Sequence, residues 1–165
     1  MVTNINQKIL IVADDGVENE AITRLARVGY DNVVGYLKGG FDAWKNSGKE
    51  VNTITDETAE EFANAVNSGA NVLDVRKKSE NFSEHVLNAV NEPLDTLVDG
   101  FVNLDKTKKY HIHCAGGYRS VIALSILLSK GFKSENLINV LGGFGAIKKE
   151  SGVEVSEYVC PSTML

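Results

Sequence analysis

The chain alternates short apolar runs with segments whose apolar residues recur three or four apart. Residues 8–12 form an apolar run ended by Asp14, Asp15 and Gly16, which predicts a buried strand followed by a turn. Ala21, Ile22, Leu25 and Val28 then fall at helical spacing over residues 17–28, and Gly29 ends that helix. Residues 32–36 read as a second strand, and Gly39-Gly40 opens a short helix with Phe41, Ala43 and Trp44. After a linker at 49–53, Thr55 is the expected N-cap of a helix with Asp56 and Glu57 in its first turn and Phe62, Ala63 and Val66 as its apolar stripe. Strands are predicted at 71–75, 109–113 and 137–140, with a short one at Ala89-Val90. Helices are predicted from Pro93 to Gly100, over 119–130 and over 144–150, while 76–88 reads as polar and irregular. Strands alternating with helices imply an α/β fold with a mainly parallel sheet.

The pattern occurs twice. Residues 8–44 and 109–147 both run strand, glycine-containing polar loop, helix, Gly-aromatic (Gly29-Tyr30, Gly131-Phe132), strand, then Gly-Gly-Phe (39–41, 142–144). Only the second copy carries Cys114 and Arg119 in its loop, and only the second is preceded by a front half, residues 52–108. Three parts are therefore expected: residues 1–50, the back half of a cysteine-less repeat; residues 52–152, the chemically equipped domain; and a tail, 153–165. A missing N-terminal domain in a longer protein would account for the first part. A homodimer is another way to cover the strand edge and apolar face that a half repeat exposes.

Composition narrows the function classes. Of 165 residues, 43% are hydrophobic and 24% charged, ordinary for a globular domain, and no apolar stretch has the length of a membrane span. The net charge of −5 argues against a nucleic-acid binder. Two distant cysteines, Cys114 and Cys160, make a poor disulfide framework, and without an export signal a reducing, cytoplasmic location is expected. His111 and His113 share a strand face but have no third partner at metal-ligand spacing, so neither a metal nor a cofactor is expected.

The candidate chemistry lies in Cys114-Ala115-Gly116-Gly117-Tyr118-Arg119-Ser120, between a strand end and a helix start. Two glycines let the backbone curl so that several N–H groups point inward, and such a nest beside a helix N-terminus attracts anions. The same field favours thiolate at Cys114, and Arg119 can add a fixed charge and a planar fork of donors. The nucleophile is then activated by its surroundings without a general base. Cys160 could act as a second thiol that receives from Cys114, although a position near the chain end favours an idle one.

These residues resemble the rhodanese family, specifically its sulfurtransferase branch. The resemblance covers residues 52 to about 152. Beside the Cys-x-x-Gly-x-Arg-Ser loop, Asp74-Val75-Arg76 looks like the family's Asp-x-Arg segment, residues 84–94 like its Gly-His-Ile-Pro-Gly-Ala-x-Asn-x-Pro stretch, and Gly142-Gly143-Phe144 like its Gly-Gly-aromatic end. Lys77-Lys78 stand where the family usually has an acid, with Glu80 further on, and Glu84 and Leu87-Asn88 replace the usual Gly and Pro-Gly. The resemblance implies that Cys114 takes a sulfane sulfur from thiosulfate, polysulfide or a persulfide. It would hold it in the cradle 115–120 and pass it to cyanide or a thiol, with Asp74 and Arg76 organising the loop. Lys109, Arg119, Lys130, Lys133, Lys148 and Lys149 against Glu135 alone suit an anionic donor. Four residues between Cys114 and Arg119, one fewer than in tyrosine phosphatases, suit a single sulfur better than a phosphate. Two alternatives stay open: a non-catalytic sulfur carrier or docking module of a larger protein, and a phosphatase or arsenate-reducing enzyme on the same fold. The order degenerate-then-active is similar to the C-terminal part of metallo-β-lactamase-fold/rhodanese fusion proteins, whose front domain is an iron-dependent persulfide dioxygenase; no metal motif of that domain occurs here.

Overall fold

A computed structural model describes residues 4–99, 104–150 and 152–160. Two compact units result, divided between Asn52 and Thr53. The first holds β1 (Ile9–Ile11), α1 (Glu18–Arg27), β2 (Val33–Tyr36) and α2 (Gly40–Asn46), with β1 and β2 paired in parallel. The second holds β3 (Thr55–Glu57), α3 (Ala59–Asn67), β4 (Asn71–Asp74), α4 (Lys78–Ser83), β5 (Val90–Asn91), α5 (Leu94–Asp99), β6 (Tyr110–His113), α6 (Tyr118–Ser129), β7 (Leu137–Val140) and α7 (Gly143–Ile147). Its five strands lie in the order β3-β7-β6-β4-β5, every pair parallel.

Parallel strands joined by helices are covered on both faces, so their residues read as continuous apolar runs. Val72 and Leu73 of β4 show this, since adjacent residues point to opposite faces. Leu73 joins Val75, Ile112, Leu124, Leu127 and Leu97 under α5 and α6; Val72 joins Phe62, Val140, Phe144 and Ile147 under α3 and α7. The carboxyl ends of β4 and β6 therefore sit between two packed layers, and both carry site residues.

The first unit repeats the back half of the second, strand for strand and helix for helix. Leu10 pairs with Gly35 as His111 pairs with Ile138, and Ile11 with Tyr36 as Ile112 with Asn139. Its burial differs. Phe41 and Trp44 are exposed, whereas their counterparts Phe144 and Ile147 are buried beneath Phe62 and Val72.

The structure departs from the sequence reading in several places. Thr55 is not a helix cap: Thr55–Glu57 is an edge strand beside Ile138–Val140, and buried Glu57 holds His111 Nδ1 at 2.7 Å. Thr58 is the cap. Its Oγ1 accepts from Glu61 N at 3.2 Å while Glu61 Oε2 accepts from Thr58 N at 2.7 Å, a reciprocal capping box that the spacing Thr58-x-x-Glu61 encodes. Residues 76–88 are not irregular throughout, because α4 occupies Lys78–Ser83. Residues 153–159, read as tail, run along 83–87: Val153 and Val155 pack on the core, Ser156 N donates to His85 O at 2.8 Å and Val159 N to Ser83 O at 2.8 Å. The predicted helix end at Gly100 and the tail residues 161–165 lie outside the described residues. Among those described, no helix is long and apolar enough to cross a membrane.

Replacing the cap, Thr58→Ala, is expected to cost about 1 kcal/mol of stability in urea unfolding. Thr55→Ala is expected to cost less than about 0.5 kcal/mol. Equal losses would restore Thr55 as a cap.

Candidate active site

Strand β6 delivers Cys114 to the carboxyl edge of the sheet, where ligands of open α/β sheets are bound. The loop then turns through Gly117 at φ 101°, a left-handed conformation that suits glycine, and this residue caps α6. The turn brings Gly117 N to 3.1 Å from Cys114 Sγ. Ser120, in the first turn of α6, places Oγ 3.7 Å from the sulfur and donates its own proton to Gly117 O at 2.9 Å. In the thiol form the S–H thus donates to Ser120 Oγ; in the thiolate form the hydroxyl turns from Gly117 O to donate to the sulfur. Burial pushes the Cys114 pKa up. The N–H and hydroxyl of Ser120, with the N–H groups of Gly117 and Gly116, outweigh it, and the net direction is down.

A second βα turn packs onto the first. Gly142 and Gly143 take φ 71° and 55°, and Phe144 N donates to Cys114 O at 2.7 Å and Gly145 N to Ala115 O at 3.0 Å. A Cβ at Gly143 would stand 2.4 Å from Cys114 O, so no side chain fits there.

Asp74 and Arg76 form a buried ion pair at the carboxyl end of β4. Asp74 is fully buried and accepts from Arg76 Nη2 at 2.6 Å, Arg76 Nε at 3.0 Å, Arg76 N at 2.9 Å and Asn81 Nδ2 at 2.9 Å. Burial alone would raise the Asp74 pKa; those donors and the nearby His113 hold it below the usual carboxylate value. The Arg76 guanidinium also reaches Glu84 O at 2.8 Å and stacks 3.9 Å over the Phe144 ring. It thereby joins the Asp-x-Arg segment to the Gly-Gly-Phe turn. Buried Arg76, half-buried Glu80 and Glu84, and exposed Lys148 line an open cleft of about 260 Å³ beside Phe144.

Arg119 is engaged otherwise than the sequence suggested. Its guanidinium makes a two-point pair with Glu80 of α4, Nη1 to Oε2 at 2.6 Å and Nη2 to Oε1 at 2.8 Å. This pairing lowers the Glu80 pKa, and Glu80 raises that of Arg119. Glu80 also accepts from Lys77 N at 3.1 Å, which seats α4 at its start. Sequence reasoning left Glu80 without a role because it stands 39 residues from Arg119. The signal was an acid displaced a few positions from Asp74-x-Arg76.

Ala115 and Gly116 are exposed, and Tyr118 is 80% exposed. Asn88, where the family pattern has glycine, takes φ 65°, a conformation that asparagine tolerates. In the first unit Ala13 occupies the place of Cys114, and a Cβ at Gly40 would stand 2.3 Å from Ala13 O. The turn contact is therefore present there without a thiol. Cys160 follows Val159 on the strap along 83–87 and is exposed. Among the described residues no group of three or more His, Cys, Asp or Glu could hold a metal ion.

The Cys114 thiolate is the reactive form, so a depressed pKa moves its alkylation by iodoacetamide to lower pH. The midpoint is expected below about 8.5, the ordinary cysteine value. Ser120→Ala is expected to move it upward, slowing alkylation near neutral pH. A midpoint unchanged by Ser120→Ala would contradict the role of that hydroxyl.

The rhodanese-like domain family matches residues 2–47 and 58–150. No curated protein sequence matches the chain. A rhodanese-related protein from Thermoplasma volcanium is similar in structure at TM-score 0.55 and 28% identity, over 62% of this chain and 97% of that one. A thiosulfate sulfurtransferase from Pseudomonas aeruginosa matches at TM-score 0.51 and 23% identity, over 96% of this chain and 34% of that one. A Rhodopseudomonas palustris protein described as a possible tyrosine phosphatase matches at TM-score 0.53 and 21% identity, over 70% of this chain and 89% of that one. The last two likenesses are of fold alone. With both segments matched and the loop, the Asp-x-Arg pair and the Gly-Gly-Phe turn assembled around one thiol, the chain belongs to the rhodanese-like domain family.

Proposed function

We propose that this protein is a sulfurtransferase that carries a sulfane sulfur on Cys114. The observation that carries the reading is a thiol set against the N–H groups of a six-residue loop, with its pKa drawn down. A thiolate in such a nest attacks the outer sulfur of a donor such as thiosulfate, polysulfide or a persulfide. With thiosulfate, a new S–S bond forms to Cys114 Sγ while the donor's S–S bond breaks, and sulfite leaves with the electron pair. The persulfide anion then accepts N–H donation from the loop. A thiophilic acceptor, cyanide or a thiolate, attacks its outer sulfur and returns Cys114 as thiolate.

Cys114 is only 1% exposed, which favours donors that present a terminal sulfur on a narrow stem. A phosphatase reading has less support. Phosphate transfer needs donors free to bind a tetrahedral anion, and both outer nitrogens of Arg119 are taken by Glu80. Partners under this proposal are a small anionic sulfur donor and a thiol or cyanide acceptor.

With thiosulfate and cyanide, the wild-type chain is expected to release thiocyanate, and Cys114→Ser to release none above background. Hydrolysis of p-nitrophenyl phosphate is expected from neither. Thiocyanate release unaffected by Cys114→Ser, or a Cys114-dependent phosphatase, would overturn the assignment. A persulfide that forms but is not passed to cyanide or a small thiol would instead support a carrier that serves a protein partner.

A further inference from the structure

His113 is the residue before Cys114, fully buried at the end of β6, and no step above uses it. Its ring lies between two phenylalanines. It stacks on Phe144 with centroids 5.9 Å apart and planes 23° apart, and meets Phe62 edge-on at 6.1 Å. Its Nδ1 faces two acceptors, the Cys114 carbonyl at 3.4 Å and Asp74 Oδ1 at 3.9 Å. Its Nε2 has no hydrogen-bond partner among the described residues.

That environment selects one tautomer. A proton on Nε2 would strand a buried donor without a partner and turn the Nδ1 lone pair toward two oxygens. A proton on Nδ1 is donated to the Cys114 carbonyl, lies near the Asp74 carboxylate, and leaves only a lone pair in the apolar pocket. Burial disfavours the charged ring: it lowers the pKa, as does the Arg76 charge, against the opposing pull of Asp74 and the Cys114 carbonyl.

We propose that His113 is a positioning residue, whose Nδ1–H donates to the Cys114 carbonyl beside the Asp74 carboxylate and so fixes the peptide from which the sulfur cradle begins. The Cys114 carbonyl has two donors, Phe144 N–H from the second turn and His113 Nδ1–H from the Asp74 side. Together they set the plane of the 114–115 peptide, and with it the direction of the following N–H groups toward the sulfur. Asp74 Oδ1, 3.9 Å from this nitrogen, favours a proton on it. The proposal rests on Cys114 working as a thiolate nucleophile.

The test compares His113→Phe, which keeps an aromatic ring between Phe62 and Phe144 but removes the donor, with His113→Asn, whose side-chain amide places an N–H near the position of Nδ1. The readout is the pH profile of Cys114 alkylation by iodoacetamide in the full chain, together with thermal unfolding. His113→Phe is expected to raise the Cys114 pKa by about one unit, lowering the thiolate fraction near neutral pH about tenfold. His113→Asn is expected to restore most of it. An unchanged profile in His113→Phe, or equal losses in both variants, would reduce His113 to a space-filling ring. Should the variants fail to fold, ¹⁵N NMR of the wild type decides: Nδ1 should carry the proton at every pH where the chain stays folded, and a proton on Nε2 overturns the proposal. Alkylation needs no sulfur donor, so failure of sulfur transfer in the wild type would leave this result separately readable.

Discussion

Two βα turns meet backbone to backbone, and the site depends on that contact. The peptide N–H of Phe144 lies 2.7 Å from the carbonyl of Cys114, at a separation that leaves no room for a side chain on Gly143. Packed secondary elements normally meet through side chains. Here the omission of one lets neighbouring parallel strands bring their following turns into hydrogen bonding. The reactive loop is therefore braced from beneath by the Gly-Gly-Phe turn, and its N–H groups are left to face the sulfur. The first unit keeps the same close approach at Gly40 and Ala13 without a thiol, so the contact belongs to the frame of the repeat and the chemistry was laid over it.

Charge around the thiol is arranged in two tiers. Asp74 and Arg76 form a buried pair whose remaining bonds go to Asn81, to Glu84 O and onto the face of Phe144, so their charges serve packing and orientation. A buried pair of this kind is weak evidence for stability in itself, because desolvation offsets much of its attraction. Its value here is geometric. Arg119 and Glu80 form the outer tier, partly exposed, tying the start of α6 to α4. Positive charge near Cys114 is consequently moderated, and the loop N–H groups supply most of what holds the sulfur anion.

The parts of the site legible in the sequence are those coded locally. Cys114, its glycines and Ser120 sit within one turn, and the Gly142-Gly143 pair announces an unusual backbone by residue type alone. The α/β order was readable because parallel strands are apolar on both faces and the helices keep their period. What escaped depends on distant partners. Helix α4, Lys78-Ser-Glu-Asn-Phe-Ser83, lacks an apolar stripe; Glu80 and Asn81 anchor it through Arg119 and Asp74. Thr55–Glu57 reads as a capped helix start, yet pairing with β7 draws it out into a strand and shifts the cap to Thr58. The strap 153–159 carries no strong periodicity and owes its path to backbone bonds with 83–87. Arg119 was found by its spacing, but the acid that takes up its charge was not.

The account stands or falls on whether Cys114 accepts a sulfur atom. Intact mass of the chain after incubation with thiosulfate, and separately with glutathione persulfide, measures this directly. A gain of one sulfur in the wild type, absent in Cys114→Ser and removed by cyanide, is the result the structure leads us to predict. A chain that gains no mass from either donor while its thiol remains open to alkylation would contradict the claim that this cradle is built to carry sulfur.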